Sequence, residues 1–140
     1  MDNIPSNLNK IEITQGDPAL LFNIVTKLGE GSYGSVYSAI DNRDNTEVAI
    51  KVLEVDQADV TELHHEINIL KTCQNQFVVG YRGCWCKGRY VWIVMEYCAG
   101  GSLGDLLLLC DFVLTEKECK AVMYLTLHGL AYLHQRHLIH

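Results

Sequence analysis

Short stretches rich in β-branched and aromatic residues dominate the chain up to about residue 95, and this pattern predicts β-strands. Polar turn residues separate the stretches, as at Asn42–Asn45. Side chains alternate between the two faces of a strand. In the run Val48-Ala49-Ile50-Lys51, the valine and isoleucine therefore share one face, and the alanine and lysine share the other. The predicted strands are residues 22–29, 34–41, 47–54, 77–86 and 90–95.

A helix is predicted over residues 60–73, because Leu63, Ile67 and Leu70 recur at i, i+4 and i+7 and form one apolar stripe. At about 100° per residue, Glu66 lies about 60° from Leu63, at the edge of this stripe. We expect its carboxylate to face the sheet, where it needs a partner.

Two further helices are predicted, a short one at residues 103–109 and a longer one at residues 115–134. Thr115 and Glu118 have the spacing of a capping box at the start of the longer helix. This helix is apolar over much of its circumference, so we expect it to be buried. Gly129 within it costs about 1 kcal/mol relative to alanine, which indicates a closely packed neighbour.

Three glycines, Gly29, Gly31 and Gly34, form a G-x-G-x-x-G pattern between two predicted strands. Glycine lets backbone N–H groups come close to phosphate oxygens. A dinucleotide-binding motif needs a strand, a turn and then a helix, but no helical period begins at Ser35. A P-loop is also disfavoured, because no Gly-Lys-Ser/Thr follows. The remaining readings are a phosphate-binding hairpin and an ordinary Gly-rich hairpin.

Lys51 lies between two apolar residues on the strand that follows the hairpin. On the same face, Ala49 offers a small apolar side chain against which an adenine ring can pack. Lys51 lies about 6–7 Å further along the strand and can reach phosphates. Its natural partner is Glu66. The alternatives are a solvated strand lysine and an unpaired surface carboxylate.

The 140 residues suffice for one modest domain, and a net charge of −6 with a pI near 5.4 argues against a nucleic-acid partner. No basic run indicates an anionic membrane surface. The N-terminus lacks the apolar region of a signal peptide, and no apolar run reaches the ~18 residues of a membrane span. We therefore expect a cytoplasmic protein.

The six cysteines show no Cys-x-x-Cys pair, so we expect buried, reduced thiols and no structural metal. The histidines likewise lack metal-ligand spacing with Cys, Asp or Glu. The cysteines are Cys73, Cys84, Cys86, Cys98, Cys110 and Cys119.

The chain resembles a protein kinase from about Phe22 to its end. Gly29–Val36 is similar to the kinase Gly-rich loop, and Val48–Lys51 to the Val-Ala-Ile-Lys strand. The closest likeness is to sterile-twenty-like serine/threonine kinases of the Hippo type. It rests on the runs W-I-V-M-E-Y-C-A-G-G-S-L and T-L-H-G-L-A-Y-L-H and on the final L-I-H.

The resemblance implies an α+β fold. It consists of a kinase N-lobe (a five-stranded antiparallel sheet with one regulatory helix), a hinge, and the first helices of a truncated helical C-lobe. The expected divisions are an N-terminal extension at residues 1–21, the N-lobe at 22–95, the hinge at 96–101 and the start of the C-lobe at 102–140.

The resemblance also implies an ATP site, with Lys51 and Glu66 as the catalytic ion pair. Main-chain groups of Glu96 and Cys98 would hold the purine, and Met95 would lie behind it. Ser102 or Asp105 would contact the ribose. The implied nucleotide-binding residues are Leu28, Gly29, Glu30, Gly31, Ser32, Tyr33, Gly34, Val36, Ala49, Lys51, Val79, Met95, Glu96, Cys98, Ser102 and Asp105. For the apolar residues among them, plain core packing is the alternative.

Kinases carry the catalytic aspartate and the magnesium ligands after the position matched by His140. We therefore expect a parent serine/threonine kinase that uses Mg-ATP and a protein substrate, while the chain as given is inactive alone and holds no metal. The alternatives are a non-catalytic nucleotide-binding or dimerising module that modulates a partner kinase, and an inert fragment. The isolated chain is expected to be poorly soluble or molten, because its long helix has little to pack against.

Overall fold

The computed structural model describes residues 12–14, 16–31, 34–55, 60–110 and 113–140. Within these described residues, five antiparallel strands form one sheet in the order β1-β2-β3-β5-β4. The strands are β1 (Phe22–Gly31), β2 (Gly34–Asp41), β3 (Thr46–Glu54), β4 (Tyr81–Lys87) and β5 (Tyr90–Glu96). The helices are α1 (Pro18–Leu21), α2 (Val60–Thr72), α3 (Leu103–Cys110) and α4 (Glu116–Gln135). The predicted five-stranded sheet with a helix between its third and fourth strands is confirmed.

The chain divides into two compact units. The first comprises residues 1–74 and 80–97 and contains the sheet with α1 and α2. The second comprises residues 75–79 and 98–140 and contains α3 and α4. No helix in the described ranges is both long and apolar enough to cross a membrane.

The fourth strand begins later than its sequence pattern predicts, at Tyr81 rather than at Phe77. Asn75 is the cause, because its side-chain Oδ1 accepts a hydrogen bond from Phe77 N at 3.0 Å, and its carbonyl accepts one from Val78 N at 3.0 Å. An asparagine that bonds the backbone two residues ahead forms a turn. The apolar run after Asn75 therefore begins with a turn instead of a strand.

Helix α1 has too few residues for a periodic pattern and was not predicted. Asp17 caps it, accepting a hydrogen bond from Ala19 N at 2.9 Å, and Pro18 occupies the first helical position. The Asp17 carboxylate also binds Lys87 Nζ of β4 at 3.0 Å. This segment therefore packs on the sheet through a buried proline and an ion pair.

Two buried clusters lie on opposite faces of the sheet. Leu53 of β3 belongs to the cluster beneath α2, together with Leu63 and Ile67. Val48 and Ile50 belong to the other cluster, which confirms the predicted alternation along β3. The first cluster is Leu53, Val55, Leu63, Ile67, Cys84, Val91 and Ile93, and the second is Phe22, Ala39, Val48, Ile50, Trp85 and Val94.

The described cysteines are free, but the expectation that they are buried is only partly correct. Cys73 and Cys84 are buried, Cys86 is half-buried, and Cys98 and Cys119 are exposed. Burial raises the pKa of the Cys84 thiol to about 12. The two exposed thiols lie in the second unit, where little apolar surface is covered.

Helix α4 starts with the predicted capping box, since Thr115 N donates to Glu118 Oε2 at 2.7 Å and Thr115 Oγ1 accepts from Glu118 N at 3.3 Å. The predicted close neighbour of Gly129 is Phe77, whose carbonyl oxygen would lie 3.0 Å from an added Cβ. The prediction that the helix is buried is wrong for this chain. Gly129 is its one buried residue, and side chains such as Leu125 are half-exposed.

A buried carboxylate, Asp41, lies at the far end of β2 and pairs with Arg43, whose side chain is 50% exposed. Asp41 is 2% exposed and accepts three hydrogen bonds from Arg43, from the main-chain N at 3.0 Å, from Nε at 2.9 Å and from Nη2 at 2.6 Å. The Arg43 guanidinium also lies 5.5 Å from the Phe22 ring centre and 5.4 Å from that of Trp85. The Arg43 hydrogen bonds hold the pKa of Asp41 below its ordinary value.

We predict that Asp41→Asn lowers the free energy of unfolding by about 1–2 kcal/mol at pH 7, because it weakens hydrogen bonds to a charged acceptor. A carboxyl with a lowered folded-state pKa stabilises the fold above its unfolded pKa of about 3.9, and this stabilisation is lost as the pH falls through the folded value. Urea unfolding at pH 7 and pH 3 should therefore show a larger difference at pH 7 than at pH 3. Exposed Glu47→Gln is the control, and equal stability of the two variants at pH 7 would contradict the prediction.

Candidate nucleotide-binding site

The three glycines lie on an antiparallel ribbon formed by β1 and β2. Gly29 pairs with Val36, and Gly31 pairs with Gly34. Both flanks are strands, so the predicted hairpin is confirmed and the strand–turn–helix alternative is excluded. Ser32 and Tyr33 at its tip lie outside the described residues.

The three glycines are not equivalent. Gly34 has a φ of 147°, and an added Cβ would lie 2.1 Å from the carbonyl oxygen of Val52. Gly34 is therefore required by the packing of β2 against β3. An added Cβ at Gly29 or Gly31 would meet no atom within 4 Å. The fold alone does not explain these two glycines, whereas close approach of a ligand to their backbone would.

Gly34→Ala is expected to lower the free energy of unfolding by about 2–4 kcal/mol, because it combines a left-handed backbone with a clash against a main-chain oxygen. Gly29→Ala, the matched control, should leave stability nearly unchanged or slightly raised. Urea unfolding followed by circular dichroism measures both. Equal destabilisation by the two substitutions would show that the contact with Val52 is not the cause.

Lys51 and Glu66 meet as the sequence predicts. Lys51 Nζ lies 2.7 Å from Glu66 Oε1, and the two side chains are 26% and 39% exposed. Leu63 and Ile67 of α2, on either side of Glu66 in sequence, are buried against the sheet. A partly solvated pair of this kind contributes little to stability, so its main consequence is to orient the lysine.

Strand register brings three further predicted residues to the neighbourhood of Lys51. Val36 is the cross-strand partner of Lys51, and Met95 is the partner of Ala49, which is 8% exposed. In antiparallel strands, directly paired residues share a face, so Val36, Ala49, Lys51 and Met95 line the face that α2 covers. Leu28, just before the glycines, is 46% exposed.

Glu96 ends β5 with two hydrogen bonds to Gly80. Its main-chain N donates to the Gly80 carbonyl at 2.8 Å, and its carboxylate Oε2 accepts from Gly80 N at 3.1 Å. The sequence did not single out Gly80, and no spacing rule identifies it, because the two residues lie on different strand ends. The bond pair fixes the main chain at Glu96, where the purine contact is predicted.

Glu30 is engaged within the hairpin itself. Its carboxylate binds Lys27 Nζ at 2.7 Å, and this hydrogen bond lowers the pKa of the Glu30 carboxyl. Both side chains are largely exposed. The pair therefore joins two residues of β1 that are three positions apart in sequence.

Four predicted site residues, Val79, Cys98, Ser102 and Asp105, belong to the second unit. Ser102 caps α3, since its Oγ accepts from Asp105 N at 3.0 Å and donates to Asp105 Oδ2 at 2.6 Å. The Ser-x-x-Asp spacing was a readable capping signal. The predicted ribose contact at these two residues therefore competes with a structural role. Val79 and Cys98 are both exposed.

Within the described ranges, no group of three His, Cys, Asp or Glu side chains could hold a metal ion.

The comparisons with known proteins agree on one family. Residues 22–140 match the family model described as protein kinase domain. The chain is 45% identical over 123 residues to serine/threonine-protein kinase hippo of Drosophila melanogaster. This alignment covers 88% of this chain and 18% of that protein. It is 46% identical over 123 residues to serine/threonine-protein kinase cst-1 of Caenorhabditis briggsae, covering 88% and 25%. Serine/threonine-protein kinase dst4 of Dictyostelium discoideum is 40% identical over 141 residues, covering 100% and 29%. The chain thus spans less than a third of each relative.

Proposed function

Because this chain belongs to the protein kinase family and matches part of serine/threonine kinases of the Hippo type, we propose that it is the ATP-binding part of such a kinase domain. The observation that carries the proposal is the ion pair of Lys51 and Glu66 at 2.7 Å, one strand away from the glycine hairpin.

The residues of the first unit offer groups that could bind the phosphates of a nucleoside triphosphate. The Lys51 ammonium has three donors, so its bond to Glu66 leaves others for phosphate oxygens, and its side chain stays 26% exposed. The open space at Gly29 and Gly31 lets phosphates approach the backbone. When bound, ATP supplies the γ-phosphoryl group that kinases transfer to a hydroxyl.

The adenine end of the site would use small and main-chain groups. Ala49 lacks bulk above the predicted ring position, and its cross-strand neighbour Met95 would close the back. The Glu96 main chain, held by its two bonds to Gly80, would meet the purine edge. In this arrangement, the purine would be recognised by main-chain groups that strand pairing holds in place.

This chain would bind the nucleotide, and only a longer parent protein would transfer the phosphoryl group. In kinases, the aspartate that orients the acceptor hydroxyl and the ligands that hold Mg²⁺ follow the position of His140. The parent's use of Mg-ATP and its protein substrate are part of the proposal.

We expect Lys51→Ala to weaken Mg-ATP binding at least about tenfold, because a charge-assisted contact contributes roughly 1.5–3 kcal/mol. The measurement is calorimetric titration of the full chain, fused to a carrier protein that keeps it in solution and does not itself bind nucleotide. Lys87→Ala is the matched control, since Lys87 is also a strand lysine in an ion pair, with Asp17. The control should bind as the unmodified chain does.

Two results would contradict the proposal. The first is an unmodified chain that binds Mg-ATP no better than the Lys51→Ala variant. The second is phosphorylation of a Ser/Thr acceptor by this chain alone, which would place the catalytic groups within it.

A further inference from the structure

We propose that residues Glu12–Thr14, called here the N-terminal clip, hold α2 against the sheet and so position Glu66 for Lys51. Within the clip, Ile13 is the positioning residue. This inference rests on the proposed function, because it assigns to the clip a control over the lysine that would bind phosphate.

The first contact joins the clip to the edge of the sheet. Among the strands that the structure describes, β4 is the last in the sheet order and pairs with β5 alone. Thr14 N donates a hydrogen bond to the Cys84 carbonyl at 2.7 Å. An edge strand has unpaired main-chain groups that an extended segment can use, and the clip uses one of them.

The second contact is apolar. Ile13 is half-buried and packs against the cluster that joins α2 to the sheet. That cluster contains Leu63 and Ile67 of α2 and Cys84 of β4, and the contacts of α2 with the strands are concentrated on β4. Ile13 therefore covers the same interface that determines how α2 lies on the sheet.

The third contact is an ion pair between Glu12 and Lys71, in the last turn of α2. The Glu12 side chain is 80% exposed and that of Lys71 is 45% exposed. Exposed ion pairs are screened by water and contribute little. The apolar contact of Ile13 is therefore expected to matter more than the charge of Glu12.

The consequence for the site follows from the geometry of α2. Glu66 lies between Leu63 and Ile67 on the helix, so a tilt or shift of α2 moves its carboxylate together with these side chains. A hydrogen bond at 2.7 Å is lost when its atoms move apart by about 1 Å. A short helix also depends on tertiary packing for its stability. Without the clip, α2 would fray and Lys51 would lose its partner.

The first test is hydrogen–deuterium exchange of the full chain. With Ile13→Asp, we expect amides of α2 to exchange roughly tenfold faster, while those of α4 in the second unit stay unchanged. Ile13→Val should restore slow exchange, and the milder Ile13→Ala serves if the aspartate variant fails to fold. Leu20→Asp, which changes a 76% exposed residue nearby, is the control and should leave α2 unaffected.

The second test asks whether Ile13 acts through Glu66. Ile13→Asp should weaken Mg-ATP binding about three- to tenfold, and this effect should disappear in a Glu66→Ala background. A merely structural role predicts the same loss in both backgrounds.

Unchanged exchange in α2 upon Ile13→Asp or Ile13→Ala would overturn the inference, and so would equal losses of affinity with and without Glu66. If the unmodified chain binds no Mg-ATP, the proposed function fails. The exchange measurement then still decides whether the clip holds α2.

Discussion

The ion pair between Lys51 and Glu66 requires that β3 and α2 keep one relative position, and much of the first unit serves that requirement. The pair itself is partly solvated and contributes little to stability. The position of α2 is instead maintained by apolar burial, through Leu63 and Ile67 in the cluster that also contains Leu53. Burial of this kind is the dominant favourable contribution to folding. The apolar core therefore fixes the relative position of Lys51 and Glu66, because the ion pair itself is too weak to do so.

Strand alternation gives the two faces of β3 different neighbours, with core residues on one face and residues of the candidate site on the other. One face of β3 buries Val48 and Ile50 in the cluster with Trp85. The other face presents Ala49 and Lys51 next to residues of neighbouring strands. A one-residue slip of β3 would exchange these faces. The candidate site therefore depends on the register of β3 in the sheet. The positions of β2 and β5 on either side of β3 hold that register.

Much of the first unit could be predicted from sequence because its signals are local. Runs of β-branched and aromatic residues identified β1, β2, β3 and β5, alternation assigned the two faces of β3, and a period near 3.6 identified α2 with Glu66 at the edge of its stripe. The likeness to kinases, which the match over residues 22–140 confirms, supplied the roles. Phe77 shows where local signals fail. Its apolar run reads as strand, but the side chain of Asn75 captures its N–H and makes a turn.

The sequence by itself determined the five strands, the three longer helices and the pairing of Lys51 with Glu66, because side-chain period and residue type are properties of neighbouring positions. Only the tertiary structure decided that Gly34 is required by the Val52 carbonyl, while Gly29 and Gly31 face open space. It also decided that Ile13 packs against the cluster that joins α2 to the sheet and that α4 stays largely uncovered. These outcomes depend on contacts between residues far apart in the chain, which no local period records.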